Sequence, residues 1–185
     1  MASERLSGEG TIPTEERTTS FGLWRFARDY LEAARILANA DRRGQFPSQV
    51  SYQCACQGLE LAFKAYLRAS GKTVDDLRAL GHSLVKCMHA AMAAGLRSPS
   101  AEHVAAIQKI DNYYREHEFR YIVTGSKSYP NLVDLLAAGA GLLVDIASPV
   151  AEQFGHPEHV HRMKREASTL ASRGALKASQ VSPTT

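Results

Sequence analysis

The sequence predicts an all-α protein, an antiparallel bundle of four to five helices. Three observations carry that prediction. From Ser51 onward, Tyr52, Ala55, Cys56, Leu59, Ala62, Phe63, Tyr66 and Leu67 fall on one side of a helical wheel and make a continuous apolar stripe. Segments of helical length are bracketed by Pro47, Pro99 and Pro130 at their starts and by Gly71 and Gly95 at their ends, the asymmetry expected of helix termini. No stretch alternates apolar and polar residues as a half-buried strand would, and no internal repeat is present.

Length and composition narrow the class. At 185 residues, with 44% hydrophobic and 22% charged residues, the chain is long enough for one domain with tails. The most apolar run, Leu132 to Val150, is interrupted by Asp134, Asp145 and Pro149, so no membrane span is expected. The opening residues lack the apolar segment of a signal peptide, which points to the cytoplasm. Cys54 and Cys56 lie on different sides of their helix and do not readily bridge, which suits a reducing compartment; Cys56 and Cys87 read as core filling. The net charge of +3 is carried by the C-terminal segment, where Arg162, Lys164, Arg165, Arg173 and Lys177 face only Glu158 and Glu166. Residues 1–154 are formally neutral, which argues against a domain that grips phosphate backbones through bulk charge.

In chain order, residues 1–18 read as a disordered tail, 19–154 as the helical bundle and 155–185 as a basic, His-containing, largely disordered tail. Ser20 is the expected cap of a first helix to Arg42, with Trp24, Ala27, Leu31, Ala34 and Ala38 inward. Pro47 opens the long second helix, which stops at Gly71. Thr73-x-x-Asp76 reads as a capping box for a short helix through Leu80. A third helix runs from His82 to Ala94, opened by the His82 imidazole or the Ser83 hydroxyl. A fourth, capped by Ser98, reaches Tyr121, with Val104, Ile107, Ile110, Tyr114 and Tyr121 inward. Pro130 begins a fifth through Phe154, and a frayed helix is expected between Glu158 and Ser172.

The phrase LELAFKAYL with Glu60 and Lys64, then Gly81-His82-Ser83-Leu84, then a helix ending Phe119-Arg120-Tyr121 before a last helix, resembles the HEPN superfamily over roughly residues 21 to 150. The resemblance implies a HEPN-like antiparallel bundle, often a homodimer. It implies one of two jobs: a metal-independent ribonuclease of the toxin or defence kind, or an inactive module that binds RNA, a nucleotide or a protein partner. No cofactor is implied. The ribonuclease branch carries an Arg, four to six residues, then a His. Arg97 and His103 have that spacing, but Pro99 and a helix start intervene; Arg78 and His82 are one residue short.

On the fourth helix the order is reversed, yet Tyr113, His117 and Arg120 fall within about 60° on one flank. A histidine to move a 2′-hydroxyl proton and an arginine to steady a phosphorane are what metal-free RNA cleavage needs, so His117 and Arg120 are the candidate catalytic pair. Tyr113, His82, Glu60, Lys64 and Tyr121 are the candidate binding residues. The bundle-edge reading pairs these groups structurally: Glu60 and Lys64 are spaced as a helical ion pair, and Glu60 can reach Arg120 or His82 across the bundle. His156, His159 and His161 form H-x-x-H-x-H, able to collect a metal; within a solvated tail they are assigned none. The preferred reading is a non-catalytic HEPN-like module that binds RNA, a nucleotide or a protein partner, with a toxin–antitoxin or defence context and a neighbouring-gene partner as its expected setting. The alternative is a divergent ribonuclease using His117 and Arg120.

Overall fold

A computed structural model describes residues 14–40, 48–121 and 127–174. The described residues form nine α-helices and no strand: α1 (Thr14–Arg17), α2 (Ser20–Asn39), α3 (Gln49–Ala69), α4 (Val74–Ala79), α5 (Leu84–Ala93), α6 (Ala101–Arg115), α7 (Leu132–Asp145), α8 (Ala147–Gln153) and, after a 3₁₀ turn at Pro157–His159, α9 (Val160–Gly174). The protein is all-α, as its periodicity predicts. The five expected helices are α2, α3, α5, α6 and α7 with its continuation α8.

The frame is the α2–α3 hairpin. Its antiparallel sense is set by Arg68, near the end of α3, donating to the Thr18 carbonyl just ahead of α2 at 3.0 Å. Midway, the fully buried Leu31 of α2 lies against two glycines. A Cβ on Gly58 of α3 would come within 2.7 Å of Leu31 Cγ, and one on Gly139 of α7 within 2.6 Å of Leu31 Cδ2. Only hydrogen fits at both places, so three helices meet there at backbone distance. Trp24, two turns earlier on the same face of α2, donates its indole N–H to the Leu143 carbonyl at 3.1 Å. That carbonyl belongs to the last turn of α7, which its own helix leaves unpaired.

The inner face expected for α3 is buried at Tyr52, Ala55, Cys56, Leu59, Ala62, Phe63 and Leu67, with Tyr66 half-buried. Gly71 ends α3 at φ +88°, and the bonds from Gly71 N to Arg68 O and Lys72 N to Leu67 O make a Schellman motif. Thr73 and Asp76 form the predicted capping box. Cys56 and Cys87 are buried, Cys54 is half-buried, and all three are free thiols.

Several boundaries differ from expectation. Thr19, not Ser20, caps α2 by accepting from Gly22 N; Ser20 is buried in the first turn and donates to Gln153 of α8 at 2.6 Å. Either hydroxyl has the chemistry of a cap, and the tertiary partner decides between them. Ser100 replaces Ser98 as the cap of α6, and Ser83 rather than His82 caps α5. Arg42 and Pro47 lie outside the described residues. The last apolar helix breaks by 45° between α7 and α8, where Pro149 lacks an amide proton and its ring opposes the Asp145 carbonyl.

After residue 155 the helix expected between Glu158 and Ser172 forms as α9, and it packs on the bundle. Helix α9 buries Met163 and Ala167 in the common core, with Val160 and Leu170 packed against it. Arg28 of α2 forms an ion pair with Glu166. A one-sided stripe at 160, 163, 167 and 170 suffices to dock a helix whose other faces are strongly polar. At the other end, Glu15 of α1 pairs with Arg68 at 2.8 Å and accepts from Val74 N at 3.1 Å, so residues 14–18 belong to the bundle. The remainder of both expected tails, 1–13 and 175–185, lies outside the described residues. Among the described residues no single helix is long and apolar enough to cross a membrane.

Two consequences are measurable. Leu59→Ala or Phe63→Ala removes a fully buried side chain and lowers the unfolding free energy by about 2–5 kcal/mol in urea denaturation. Gly139→Ala adds only a methyl group yet destabilises by about 1–3 kcal/mol through overpacking on Leu31. An unchanged midpoint in the glycine variant would mean that α2 and α7 are not in such close approach.

Candidate functional site

The polar centre of the bundle is Glu60, a carboxylate only 2% exposed on α3. A charge in that position requires partners on every side. Lys64, one turn on, places Nζ 2.7 Å from Glu60 Oε1 and also donates to the Gly81 carbonyl at 2.9 Å. Tyr114 of α6 donates its hydroxyl to Glu60 Oε2 at 2.6 Å, and His82 Nδ1 lies 3.1 Å from the same oxygen. Gln57 Oε1 is 2.8 Å from the Tyr114 hydroxyl as well. A phenol has one proton, and the charged acceptor takes it.

His82 is held at its inner nitrogen while its ring remains largely exposed, so its other edge faces outward. There it meets His117 edge-on, with centroids 5.5 Å apart. The backbone that delivers His117 is unusual. Helix α6 stops at Arg115, Glu116 is its cap, and His117 sits at φ +59°. The bonds from His117 N to Tyr114 O and Glu118 N to Tyr113 O form another Schellman motif, with histidine where glycine is usual. Histidine tolerates the left-handed region better than most side chains. The turn continues through bonds from Arg120 N and Tyr121 N to the His117 carbonyl.

This corrects the shared flank of Tyr113, His117 and Arg120, because no helix runs through all three. Tyr113 instead meets Tyr129 edge-on at 5.0 Å, within an aromatic group completed by Tyr52 and Phe119. Tyr121 is exposed and stands apart, not inward as expected. Arg120 is exposed, but its charge acts on Tyr114, opposing the upward shift of the phenol. The structure thus joins Glu60, Lys64, His82 and His117, with Arg120 beside them. Of the two partners foreseen for Glu60, His82 is the one in contact.

A second polar surface lies at the start of α6. Arg97 and His103 line one groove of about 510 Å³ with Pro99, Gly141 and Asp145, and Arg97 Nη2 is 3.8 Å from Asp145 Oδ2. They are neighbours across the cap of α6 rather than along a helical face.

No family model, curated protein sequence or solved structure matches this chain. Its chemistry must be read from the arrangement itself. Glu60 and Lys64 neutralise each other in the interior, and what reaches solvent is an oriented imidazole, a second imidazole and a guanidinium. Such a surface donates hydrogen bonds and positive charge; it suits an anionic ligand.

Residues missed by the sequence reading are those whose polar atoms reach inward. Tyr114 reads from the sequence as apolar lining, and Asp111, three residues earlier on α6, has no role in that reading. Asp111 accepts from the Ser83 hydroxyl at 3.1 Å and from Val85 N at 3.2 Å, fixing the start of α5 and so the position of His82. An acidic residue within an apolar stripe was the available signal.

Burial, and then the Glu60 charge, raise the Tyr114 phenol well above its ordinary value of 10.0. Burial pushes the Cys87 thiol from 9.0 up to about 12 and lifts Cys56 well above its ordinary value too. All three stay protonated in the fold at pH values where the unfolded chain ionises. Stability is therefore full below about pH 9 and falls above it, by up to about 1.4 kcal/mol per pH unit for each group. Tyr114→Phe costs about 1–3 kcal/mol at neutral pH by depriving Glu60 of a donor. It also flattens the decline above pH 10, which denaturation at stepped pH would measure.

Proposed function

We propose that this protein is a HEPN-like helical module, acting in the cytoplasm as a homodimer, that binds a phosphate-bearing ligand at the His82–His117–Arg120 face. RNA is the foremost candidate. A nucleotide offers the same chemistry, and a neighbouring-gene protein in a toxin–antitoxin or defence setting is a further partner. The observation that carries this reading is the orientation of His82. A buried carboxylate fixes its inner nitrogen and turns the outer edge toward His117 and the solvent. Association with a second copy is supported by the outer face of α2, where Phe26 is 62% and Tyr30 40% exposed one turn apart.

The formal neutrality of residues 1–154 favours recognition of a few phosphates over tracking along a backbone. The loss of a common helical face for His117 and Arg120 weighs against the catalytic pair as first conceived. Ribonuclease activity remains the second reading, favoured by one observation: two imidazoles stand edge to face at 5.5 Å, a pairing that can supply a base and an acid.

The deciding experiment is metal-free incubation of purified RNA with wild type, His82→Ala and His117→Gly, read for both retention and cleavage. Glycine at 117 suits the left-handed turn, so that variant removes the imidazole and keeps the backbone. The binding reading expects intact RNA retained by wild type, with affinity down at least about tenfold in each variant, the loss of one charge-assisted contact. Cleavage abolished by both variants would establish the second reading. Equal retention by all three chains would remove this face from consideration.

A further inference from the structure

The run His156-Pro157-Glu158-His159 serves neither the core nor the Glu60 network. Gly155, at φ +82°, turns the chain out of α8, and Pro157–His159 make a single 3₁₀ turn before α9. The bond from His159 N to the His156 carbonyl at 3.0 Å closes the turn and brings positions 156 and 159 together. The rings record it: the His156 and His159 imidazoles are 12° from parallel, with centroids 5.1 Å apart. Phe154 supports the His156 ring at 5.2 Å, and Phe21 of α2 supports the His159 ring at 5.9 Å. The donors are therefore held by aromatic packing from two helices.

His156 Nδ1 lies 2.9 Å and His159 Nε2 3.9 Å from Glu158 Oε1, and one ligand atom from each of the three residues falls within 4.8 Å of the other two. A tetrahedral ion with bonds of about 2.0–2.1 Å spaces its donors roughly 3.3–3.4 Å apart, between the two contact distances. His159 Nδ1 is buried without a hydrogen-bond partner, and Nε2 is the nitrogen presented toward Glu158.

We infer that His156, Glu158 and His159 form a three-ligand site for a borderline transition-metal ion, Zn²⁺ foremost, which clips the turn between α8 and α9. Two imidazoles and a carboxylate suit Zn²⁺, Ni²⁺ or Co²⁺; Ca²⁺ and Mg²⁺ require oxygen-only shells. To ligate through Nδ1, His156 presents that nitrogen's lone pair and carries its ring proton on Nε2. Three protein ligands leave a fourth position for water. All three sit within four consecutive residues, so binding orders little additional chain.

The test is calorimetric titration of the tag-free full chain with Zn²⁺, with Co²⁺ absorption as a spectroscopic readout. The expected result is one ion per chain in the micromolar range, undisturbed by excess Ca²⁺ or Mg²⁺. His156→Ala, Glu158→Gln and His159→Ala each weaken binding by at least about tenfold. His161→Ala, at an exposed position outside the donor set, does not. Zn²⁺ also raises the thermal midpoint of wild type and not that of His156→Ala. Unchanged affinity in His156→Ala, or an equal loss in His161→Ala, would overturn the site. His156 and Glu158 are exposed, so their variants fold regardless.

Discussion

Leu31 is the residue about which the helices are arranged. It is fully buried between Gly58 and Gly139, and neither neighbour has room for a methyl group. Dispersion falls steeply with distance, so contact at that range brings α2, α3 and α7 together more tightly than larger side chains would allow. Other long-range features follow from this close approach. The Trp24 indole reaches the end of α7, Ser20 reaches Gln153 of α8, and α9 closes over α7 with Met163 and Ala167.

Within that frame the described residues bury two carboxylates, Asp111 and, more completely, Glu60. Burying a carboxylate is tolerable only where donors surround it, and here they arrive from separate parts of the chain. Lys64 comes from the same helix, Tyr114 from α6, and His82 from the turn ahead of α5. The network ties three elements together and fixes the orientation of His82. A structural bond thus creates the outward imidazole edge on which the proposed ligand contact rests. The same bond makes a strictly separate account of stability and function impossible at this position, because removing Glu60 disturbs both.

Much of the fold was legible because local patterns dictate it. The stripe on α3, the αL glycine at 71, the Thr73–Asp76 box and the buried thiols at 56 and 87 all stand as read. Where the reading went astray, a tertiary contact chose between local options of similar energy. Thr19 and Ser20 could each cap α2, and Gln153 took the Ser20 hydroxyl. Helix α9 was expected only as a frayed helix in a polar tail, although a stripe of four apolar positions is enough for docking. The flank of Tyr113, His117 and Arg120 depended on an unbroken α6, and no glycine or proline announced its end at Arg115.

The sequence by itself determined the helices' inner faces and most of their capping chemistry, since both depend on neighbours within four residues. It also contained the Glu60–Lys64 pair and left Arg120 or His82 as the partner of Glu60 across the bundle. Only the tertiary structure decided that Tyr114 supplies a donor to Glu60, that His117 leaves the helix to meet His82, and that Arg120 belongs to the following turn. Those outcomes depend on the distance between α3 and α6 and on a left-handed histidine, whose local cost is met by packing elsewhere in the bundle. Periodicity carries no information about either.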